Sequence, residues 1–378
     1  MQKVNIIIGV MASGKTTYSK IQAAIHGHEY IHLDTWYSDR FKCEFEPFLA
    51  WLKEKVESSK KELIIDGWFA WDETIVHSKE KLMSSLKDVA EVSWICLFAP
   101  RWVVEDRYKM RLLKDVDLGM DVSFRRQKEG MPETCKFINT MDFSYDEMTK
   151  EEYEKAMADE ITQANVENFI IKDIRGKERY QNIQLPFGFS TGGYTDCDRT
   201  WEQIKNLDWK DKTVLDIGCH WGYFCFEAKA AGATEVVGMD VSEDTIGIAK
   251  RIRNLKRLNV IFKNGDIDED EVRREYDVIL LLNTLHHLRH PFHALSRIFK
   301  KGKMVILEVE LPHDAYMRDK PVVEMGDPIK LSGGCMGGHL RFSKEMLIRV
   351  AAENGHELEK EIQSFRPNRT ILVFRRFA

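Results

Sequence analysis

The sequence lacks long hydrophobic runs and paired cysteines. Its longest apolar runs, such as residues 278–282, have the length of a strand, whereas a membrane-spanning helix needs about 20 apolar residues. The 7 cysteines are scattered and form no C-x-x-C pair, which argues against a structural zinc site and a disulfide framework. The first residues lead straight into a strand pattern without the features of a signal peptide. We therefore expect a cytoplasmic protein with free thiols and no membrane span.

The chain also lacks a strong excess of either charge. It contains 56 Lys and Arg residues and 61 Asp and Glu residues, which gives a net charge of −5. Neither half has the basic excess of a dedicated nucleic-acid-binding protein. An enzyme that holds one RNA end with a small basic patch stays compatible with this balance. We find no internal repeat, and the length of 378 residues indicates two or three domains. Nothing in the composition indicates an oligomeric state.

Strand and helix patterns alternate along two stretches of the chain. The apolar run at residues 4–8 is typical of a strand buried on both faces. The alternation predicts an α/β protein of two doubly wound domains, at residues 1–150 and 185–378. Between the two domains we expect a helical connector at residues 151–184. The acidic stretch at residues 146–160, which is expected to form a helix, overlaps its start. Strand patterns fall at residues 4–8, 30–33, 63–65, 92–98, 213–217, 235–240, 260–263, 277–282, 303–308 and 370–374.

A phosphate-binding motif lies near the start of the first stretch. Residues 9–16 read G-V-M-A-S-G-K-T, which meets the G-x-x-x-x-G-K-T spacing between a strand and a helix. Backbone N–H groups of such a turn surround phosphates, Lys15 would reach the β- and γ-phosphates, and Thr16 would ligate Mg²⁺. Residues 1–150 contain no N-K-x-D and no D-x-x-G sequence, which favours ATP over a GTPase site. The expected nucleotide-binding residues are Gly9, Ala12, Ser13, Gly14, Lys15, Thr16 and Thr17.

Further charged residues follow the next strands of this stretch. Asp34 ends the second predicted strand, where a carboxylate could accept the proton of an acceptor hydroxyl. Asp66 ends the following strand, a place suited to a Mg²⁺-water contact. Arg107 and Arg111 lie four residues apart on a predicted helix and so share one face. This pair suits a lid that neutralises a transferring phosphate, with a solvated helix face as the alternative.

Together these residues resemble a family of small P-loop kinases. Residues 6–16, Asp34 and the A-P…R-x-x-x-R segment that ends at Arg111 are similar to polynucleotide 5′-hydroxyl kinases, zeta toxins and adenylylsulfate kinases, over about residues 1–130. The resemblance implies a P-loop kinase fold. It also implies that Asp34 activates the acceptor hydroxyl and that Arg107 and Arg111 belong to the lid.

A second cofactor motif lies past the middle of the chain. Residues 214–222 read V-L-D-I-G-C-H-W-G, a strand, a glycine turn and a helix start. Asp240 ends the next strand, where an acidic residue hydrogen-bonds ribose hydroxyls. A dinucleotide site would also fit. Three details favour S-adenosyl-L-methionine (SAM): Asp216 before the first glycine, a second acidic strand end at Asp266, and the N-T-L-H-H-L-R-H-P segment that starts at Asn283.

These stretches resemble class I SAM-dependent methyltransferases over residues 185–378. The nearest branch is that of the tRNA wobble-uridine carboxymethyltransferases, which pairs a V-L-D-I-G-C turn with an L-Y-H-x-R-x-P-like segment. The resemblance implies a Rossmann-like fold and SAM as the cofactor. His220 replaces the family's middle glycine, a departure expected to narrow the methionine pocket. The expected SAM-binding residues are Asp216, Gly218, Cys219, His220, Gly222, Asp240, Val241, Asp266, Ile267 and Asn283.

Two other segments bear on substrate binding. The histidines of residues 286–293 lack the H-E-x-x-H spacing and an interleaved carboxylate, which disfavours a metal site. His287 is the candidate for a base or a substrate contact, with an ordinary loop residue as the alternative. The glycine-rich residues 332–339 are expected to form a flexible loop that covers the substrate.

The two motifs lead to one hypothesis and two alternatives. The hypothesis is a bifunctional enzyme that phosphorylates a hydroxyl of a glycan, small molecule or RNA end and methylates the same or a downstream molecule, as in a methyl-phosphate cap. In the first alternative the P-loop domain is a regulatory or substrate-docking module, and methyl transfer is the only reaction that the protein catalyses. In the second, the protein modifies tRNA or another nucleic acid.

Overall fold

A computed structural model describes residues 1–8, 15–32, 45–66, 81–112, 135–141, 145–158, 161–318, 320–330 and 336–377. The chain divides between residues 160 and 161 into two compact units, each with its own large sheet. Within the described ranges no helix combines the length and the apolar character that crossing a membrane requires. Five predicted site residues lie outside these ranges: Gly9, Ala12, Ser13, Gly14 and Asp34.

The first unit contains a mostly parallel sheet. Its strands are β1 (Gln2–Ile8), β2 (Glu29–His32), β3 (Leu63–Asp66), β4 (Ala90–Phe98), β5 (Cys135–Asn139) and β6 (Glu147–Met148). Their order is β2-β3-β1-β4-β5-β6, parallel except for β6. Its described helices include α1 (Lys15–His26), α2 (Phe45–Ser58), α3 (Arg101–Leu112) and α4 (Lys150–Ala158), and residues 81–86 are also helical.

Helices cover both faces of this sheet, which explains the continuous apolar run of β1. Ile6 packs with Phe48 of α2 on one face, whereas Ile7 packs with Tyr18 of α1 on the other. The prediction of a helix throughout residues 146–160 is wrong at its start. There, Glu147–Met148 forms the short strand β6, which pairs with β5, and the helix begins only at Lys150. The sequence patterns indicated neither β5 nor β6.

The second unit contains a seven-stranded sheet. Its strands are β7 (Thr213–Ile217), β8 (Glu235–Asp240), β9 (Ile261–Asn264), β10 (Tyr276–Leu282), β11 (Gly302–Glu310), β14 (His356–Gln363) and β15 (Arg369–Arg376), and a separate hairpin joins β12 (Val323–Lys330) to β13 (Met336–Phe342). The order is β14-β15-β11-β10-β7-β8-β9. The strands from β11 to β9 are parallel, whereas β15 pairs antiparallel with both β11 and β14. Its helices are α5 (Gln163–Phe169), α6 (Cys197–Ile204), α7 (Tyr223–Ala230), α8 (Glu243–Lys256), α9 (Pro291–Lys301), α10 (Ala315–Arg318) and α11 (Lys344–Glu353).

Strand β10 lies in the middle of this core. Leu280 packs on one face with residues of α7 and α8, and Leu281 packs on the other with residues of α9 and α11. Burial on both faces accounts for a strand that is apolar at nearly every position. The described part of the second unit is thus a doubly wound α/β fold with an antiparallel edge.

The glycine-rich segment is partly a strand, which corrects the loop expected at residues 332–339. Residues 336–342 pair antiparallel with β12, with His339 opposite Gly326 and a register shift between Gly326 and Ile329. Glycine disfavours a regular strand but is common where pairing is irregular. The preceding residues 331–335 lie outside the described ranges.

Candidate functional site

The turn after β7 fits closely against its surroundings. Gly218 has φ +73°, and its N–H donates to the Met239 carbonyl at 2.8 Å. A Cβ at Gly218 would lie 2.4 Å from Thr284 Oγ1. Gly222 has φ +92°, and a Cβ there would lie 2.5 Å from the Phe262 ring. Only glycine fits these two positions without displacing their neighbours.

Asp240 joins this turn to the end of β8. Its Oδ2 accepts the His220 N–H at 2.9 Å, and its Oδ1 accepts the Ser242 N–H at 3.0 Å. Burial raises the pKa of Asp240, an effect that these N–H donors partly oppose. The Val241 N–H also forms a hydrogen bond with Asp240. Because a carboxylate has about four lone-pair sites, the side chain can still accept from ribose. The neighbouring Val241 is 68% exposed.

His220 occupies a left-handed backbone position, with φ 51°. Its ring centroid lies 5.4 Å from that of Tyr180 and 5.1 Å from that of Trp221. Its Nδ1 is buried without a hydrogen-bond partner among the described residues. Burial lowers the pKa of His220 to about 4, so the imidazole is neutral at pH 7.

Asp216 lies beneath the turn and is 2% exposed. Burial raises its pKa to about 7, and the nearby Asp240 carboxylate adds to the increase. The Cys225 thiol donates to Asp216 Oδ2 at 3.2 Å. Cys219 is also buried, and burial raises its pKa to about 11. Both thiols therefore act as packing groups rather than as nucleophiles.

Gln181 holds the turn from the side and was not indicated by any sequence motif. Its Nε2 donates to the Cys219 carbonyl at 3.2 Å, and its Oε1 accepts the Tyr223 N–H at 3.1 Å. Thr191 Oγ1 in turn donates to the Gln181 carbonyl at 2.7 Å. The segment before α6 thereby lies against the glycine turn.

Asp266 and Ile267 follow β9 and differ in their surroundings. Asp266 Oδ2 pairs with the Arg289 guanidinium at 2.7 Å, and Oδ1 accepts the Asp268 N–H at 2.9 Å. Ile267 is 3% exposed and packs in the core. Asp266 therefore ties the loop after β9 to the segment after β10.

Asn283 contacts the buried carboxylate of Glu308, a residue that the sequence motifs did not indicate. Asn283 has φ 56°, its side-chain amide donates to Glu308, and its Oδ1 accepts from Arg369. Glu308 is fully buried and also accepts from Ser364 Oγ at 2.8 Å and Thr200 Oγ1 at 3.4 Å. No motif marks Glu308, because its partners come from distant parts of the chain.

His287 lies in a short 3₁₀ turn at Leu285–His287. Its ring centroid is 3.9 Å from that of His286, and strand β13 packs against the turn. The part of the chain that the structure describes holds no group of three His, Cys, Asp or Glu side chains arranged for a metal. The structure thus places His287 near the carboxyl edge without grouping the histidines as ligands.

In the first unit, several predicted residues share the carboxyl edge of the sheet. Lys15 and Thr16 begin α1, which follows β1, and Thr17 is exposed on the same turn. Asp66 ends β3 opposite Ile7 of β1 and is fully buried. ATP and Mg²⁺ stay predictions here, because most of the phosphate-binding turn lies outside the described ranges.

The structure places Arg107 against a strand end. Its guanidinium donates to the carbonyl of Thr140 at 2.7 Å and to that of Met141 at 3.2 Å. Arg111 lies one turn further along α3, and its side chain is outside the described ranges. The lid role of this pair stays a prediction.

The sheet and glycine turn of the second unit define a Rossmann-like fold. Residues 196–361 match the model of a family described as "Methyltransferase domain". The second unit therefore contains a class I SAM-dependent methyltransferase domain. The matched model begins at residue 196, so it does not describe the first unit.

Curated relatives include tRNA-modifying enzymes. The tRNA U34 carboxymethyltransferase of Helicobacter pylori (strain ATCC 700392 / 26695) is 27% identical over 161 residues, which cover 37% of this chain and 60% of the relative. That of Actinobacillus succinogenes is 28% identical over 154 residues, which cover 35% of this chain and 47% of the relative. The chain thus spans about half to three fifths of the length of these relatives.

Among solved structures, magnesium protoporphyrin IX methyltransferase from Synechocystis PCC 6803 with bound S-adenosyl-L-homocysteine (SAH) is similar to part of the chain. It is 19% identical, with a TM-score of 0.37. The match covers 48% of this chain and 81% of that protein.

Proposed function

We propose that the second unit binds SAM and transfers its methyl group to an acceptor. The observation that carries this proposal is the Gly218 turn, which lies beside the Asp240 carboxylate at the carboxyl edge of the sheet. Bound SAM supplies an electrophilic methyl group. The protein then has to align the acceptor with it and exclude water.

The residues present fit such a cofactor. Glycine at position 218 allows close approach of the backbone, and Asp240 retains lone pairs for ribose hydroxyls. His220 places a neutral ring, not a cation, beside the turn. Gln181 fixes the turn through Cys219 and Tyr223, so the site is held in place before the cofactor arrives.

Cofactor binding can be tested with a matched pair of variants. Asp240→Asn weakens the hydrogen bonds expected to ribose, whereas Asp244→Asn changes an exposed aspartate of α8. Calorimetric titration with SAH should show at least a tenfold weaker affinity for the first variant and wild-type affinity for the second. Equal affinity for wild type and Asp240→Asn would refute this site.

For the acceptor we propose an RNA base, with tRNA as the substrate class. The support is the similarity to tRNA U34 carboxymethyltransferases, which covers 60% of the H. pylori relative. The balanced charge of the chain favours a local contact with one RNA loop over binding of a long duplex. Incubation with methyl-labelled SAM and unfractionated tRNA should yield labelled nucleosides, detected after digestion. Label confined to small molecules or glycans would exclude RNA.

A second candidate function is ATP-dependent phosphorylation of an acceptor hydroxyl by the first unit. The specific observation is that α1, which begins at Lys15, is the next described element after β1, while Asp66 ends the adjacent strand β3. This arrangement supports a phosphate site at the carboxyl edge of the sheet. Lys15→Ala should abolish binding of Mg²⁺-ATP in equilibrium dialysis, whereas Lys20→Ala, an exposed site on the same helix, should not.

The same variants separate phosphorylation from a docking role. If Lys15→Ala keeps full methyl transfer and the wild type binds no ATP, the first unit is a docking or regulatory module. If methyl label enters the acceptor equally well without ATP, the two activities do not act in sequence on one group.

A further inference from the structure

Two arginines and a phenylalanine form a positively charged surface at the carboxyl edge of the sheet in the second unit. The guanidinium carbon of Arg199, on α6, lies 4.3 Å from the centre of the Phe365 ring, and that of Arg366 lies 5.3 Å from the same centre. Arg199 is exposed, whereas Phe365 and Arg366 are partly exposed. We call these three residues the arginine–phenylalanine surface.

The positive charge of this surface is not neutralised within the described ranges. Neither Arg199 nor Arg366 forms an ion pair with a described carboxylate. The nearby Arg369, by contrast, donates to Asn283 and pairs with Glu310. Because both guanidinium groups contact one ring, they lie within about one Debye length of each other, roughly 8–10 Å. Like charges held this close repel each other, and a bound anion would relieve that repulsion.

Hydrogen bonds hold the segment that contains Phe365 and Arg366 in place. The Phe365 N–H donates to Gln203 Oε1 of α6 at 3.3 Å, and the Arg366 N–H donates to Ser364 Oγ at 3.2 Å. Ser364 Oγ in turn donates to the buried Glu308 of β11 at 2.8 Å. Contact with the Phe365 ring also restricts both arginine side chains. The surface is thus arranged before a partner binds, which lowers the entropic cost of binding.

The surface lies beside the proposed cofactor site. Strand β15 begins at Arg369, opposite Glu310 of β11, so the segment before it lies at the carboxyl edge. In the sheet order β15-β11-β10-β7, the Gly218 turn follows β7. At about 4.8 Å per strand, β15 lies roughly 14 Å from β7, which corresponds to about four nucleotides of a stacked strand at about 3.4 Å each. A base at the methyl group would therefore have its neighbouring nucleotides near the surface.

We propose that the arginine–phenylalanine surface binds phosphate groups of single-stranded RNA next to the base that receives the methyl group. This inference rests on the proposed RNA acceptor. Guanidinium groups donate paired hydrogen bonds to phosphate oxygens, and their planes also stack on bases. Phe365 is a positioning residue that keeps both groups at the surface. So small a contact agrees with the balanced charge of the chain, since it needs no extended basic face.

Filter binding of unfractionated tRNA to the full-length chain with SAH tests this assignment. Arg199→Gln and Arg366→Gln should each weaken tRNA affinity about tenfold, the usual loss of a hydrogen bond to a charged group. Each should also reduce the slope of log affinity against log salt concentration by about 0.7, the value for one phosphate contact in a single strand. Arg366→Lys should keep that slope, because the charge remains. The SAH affinity of all three variants should equal that of the wild type.

Two further variants separate the effect of charge from a general structural effect. Phe365→Leu keeps both charges, so it should weaken tRNA affinity without changing the salt slope. Arg273→Gln is the matched control, because Arg273 is an exposed arginine that precedes β10 at the opposite edge of the sheet. This variant should bind tRNA with the affinity of the wild type.

The outcomes separate this inference from the proposed function. If the wild type neither binds tRNA nor labels its nucleosides, RNA fails as the acceptor and the inference falls with it. If the wild type methylates tRNA but Arg199→Gln and Arg366→Gln keep its affinity and salt slope, only the inference is overturned. If these two variants instead lose affinity for polyglutamate and keep their affinity for tRNA, the surface binds an acidic peptide and the inference is again overturned.

Discussion

The His220 N–H donates to Asp240 Oδ2 at 2.9 Å, so the residue that departs from the glycine pattern is bonded to the carboxylate at the end of β8. The same carboxylate accepts the Ser242 N–H at the start of α8. One side chain thus holds the turn after β7 and the turn after β8 together. Changes in the glycine turn should consequently affect both stability and cofactor affinity.

Gly218→Ala should impair both properties. A Cβ would lie 2.4 Å from Thr284 Oγ1, at a residue with φ +73°. We expect a loss of about 1–3 kcal/mol in the free energy of unfolding, from overpacking and backbone strain, and at least a tenfold loss of SAH affinity. Urea denaturation and calorimetry measure the two effects.

Gly247→Ala is the matched control for that variant. Gly247 lies inside α8, and a Cβ there meets nothing within 4 Å. Because alanine is the better helix former, this change should stabilise the protein by about 0.5–1 kcal/mol and leave SAH affinity unchanged. A Gly218→Ala protein as stable and as tight-binding as the wild type would contradict the geometry of the turn.

The sequence predicted the positions of Gly218 and Asp240 because their placement follows from local patterns. Each residue comes at the carboxyl end of an apolar strand, and parallel strands bring those ends to one edge. Gln181 and Glu308 could not be found in this way. Gln181 bonds a carbonyl 38 residues away, and Glu308 bonds hydroxyls 56 and 108 residues away. No spacing rule connects such partners.

The glycine-rich segment shows a second limit of sequence reasoning. Local preference favours a loop for residues such as Gly337 and Gly338. Pairing with β12 overrides that preference in the structure, since Gly337 lies opposite Ile329. The strand is stabilised by its pairing with β12, and the local preference of a few neighbouring residues does not include that interaction.

The buried carboxylate of Glu308 should make the free energy of unfolding sensitive to its donors. Ser364→Ala removes a hydrogen bond of 2.8 Å and should cost about 1–3 kcal/mol, because it leaves a buried oxygen less satisfied. Thr200→Val removes a bond of 3.4 Å and should cost less. Urea denaturation gives the order, and a larger cost for Thr200→Val would contradict it.

Asp216→Asn should change how stability depends on pH. Burial raises the folded-state pKa of Asp216 from 3.8 to about 7, so the native state binds more protons than the unfolded state between these values. The stabilising contribution is therefore complete below about pH 4 and is lost as the pH rises through 7. Relative to wild type, the variant should gain about 3 kcal/mol between pH 5 and pH 8, at 1.36 kcal/mol per pKa unit.

Urea denaturation at these two pH values measures that gain. Asp244→Asn, an exposed site on α8, provides the control and should show no such change. If the difference between Asp216→Asn and wild type is the same at both pH values, Asp216 is ionised in the native state and its burial has no effect on its pKa.

His220→Asn should produce a pH dependence of the opposite sign. Burial lowers the pKa of His220 from 6.5 to about 4, so the unfolded state binds more protons between these values. The wild-type protein therefore gains stability from this residue as the pH rises through that window. Because Asp216 loses stability over nearly the same range, the two contributions largely cancel in the wild type.

Removing either residue should therefore reveal the pH dependence of stability that the other residue contributes. From pH 5 to pH 8, His220→Asn should become less stable and Asp216→Asn more stable, whereas the double variant should again vary little. His293→Asn, at an exposed histidine of α9, is the control and should follow the wild type. A His220→Asn profile parallel to that of the wild type would mean that the imidazole titrates normally. The turn would then carry a positive charge at mildly acidic pH, and SAH affinity would have to change across the same range.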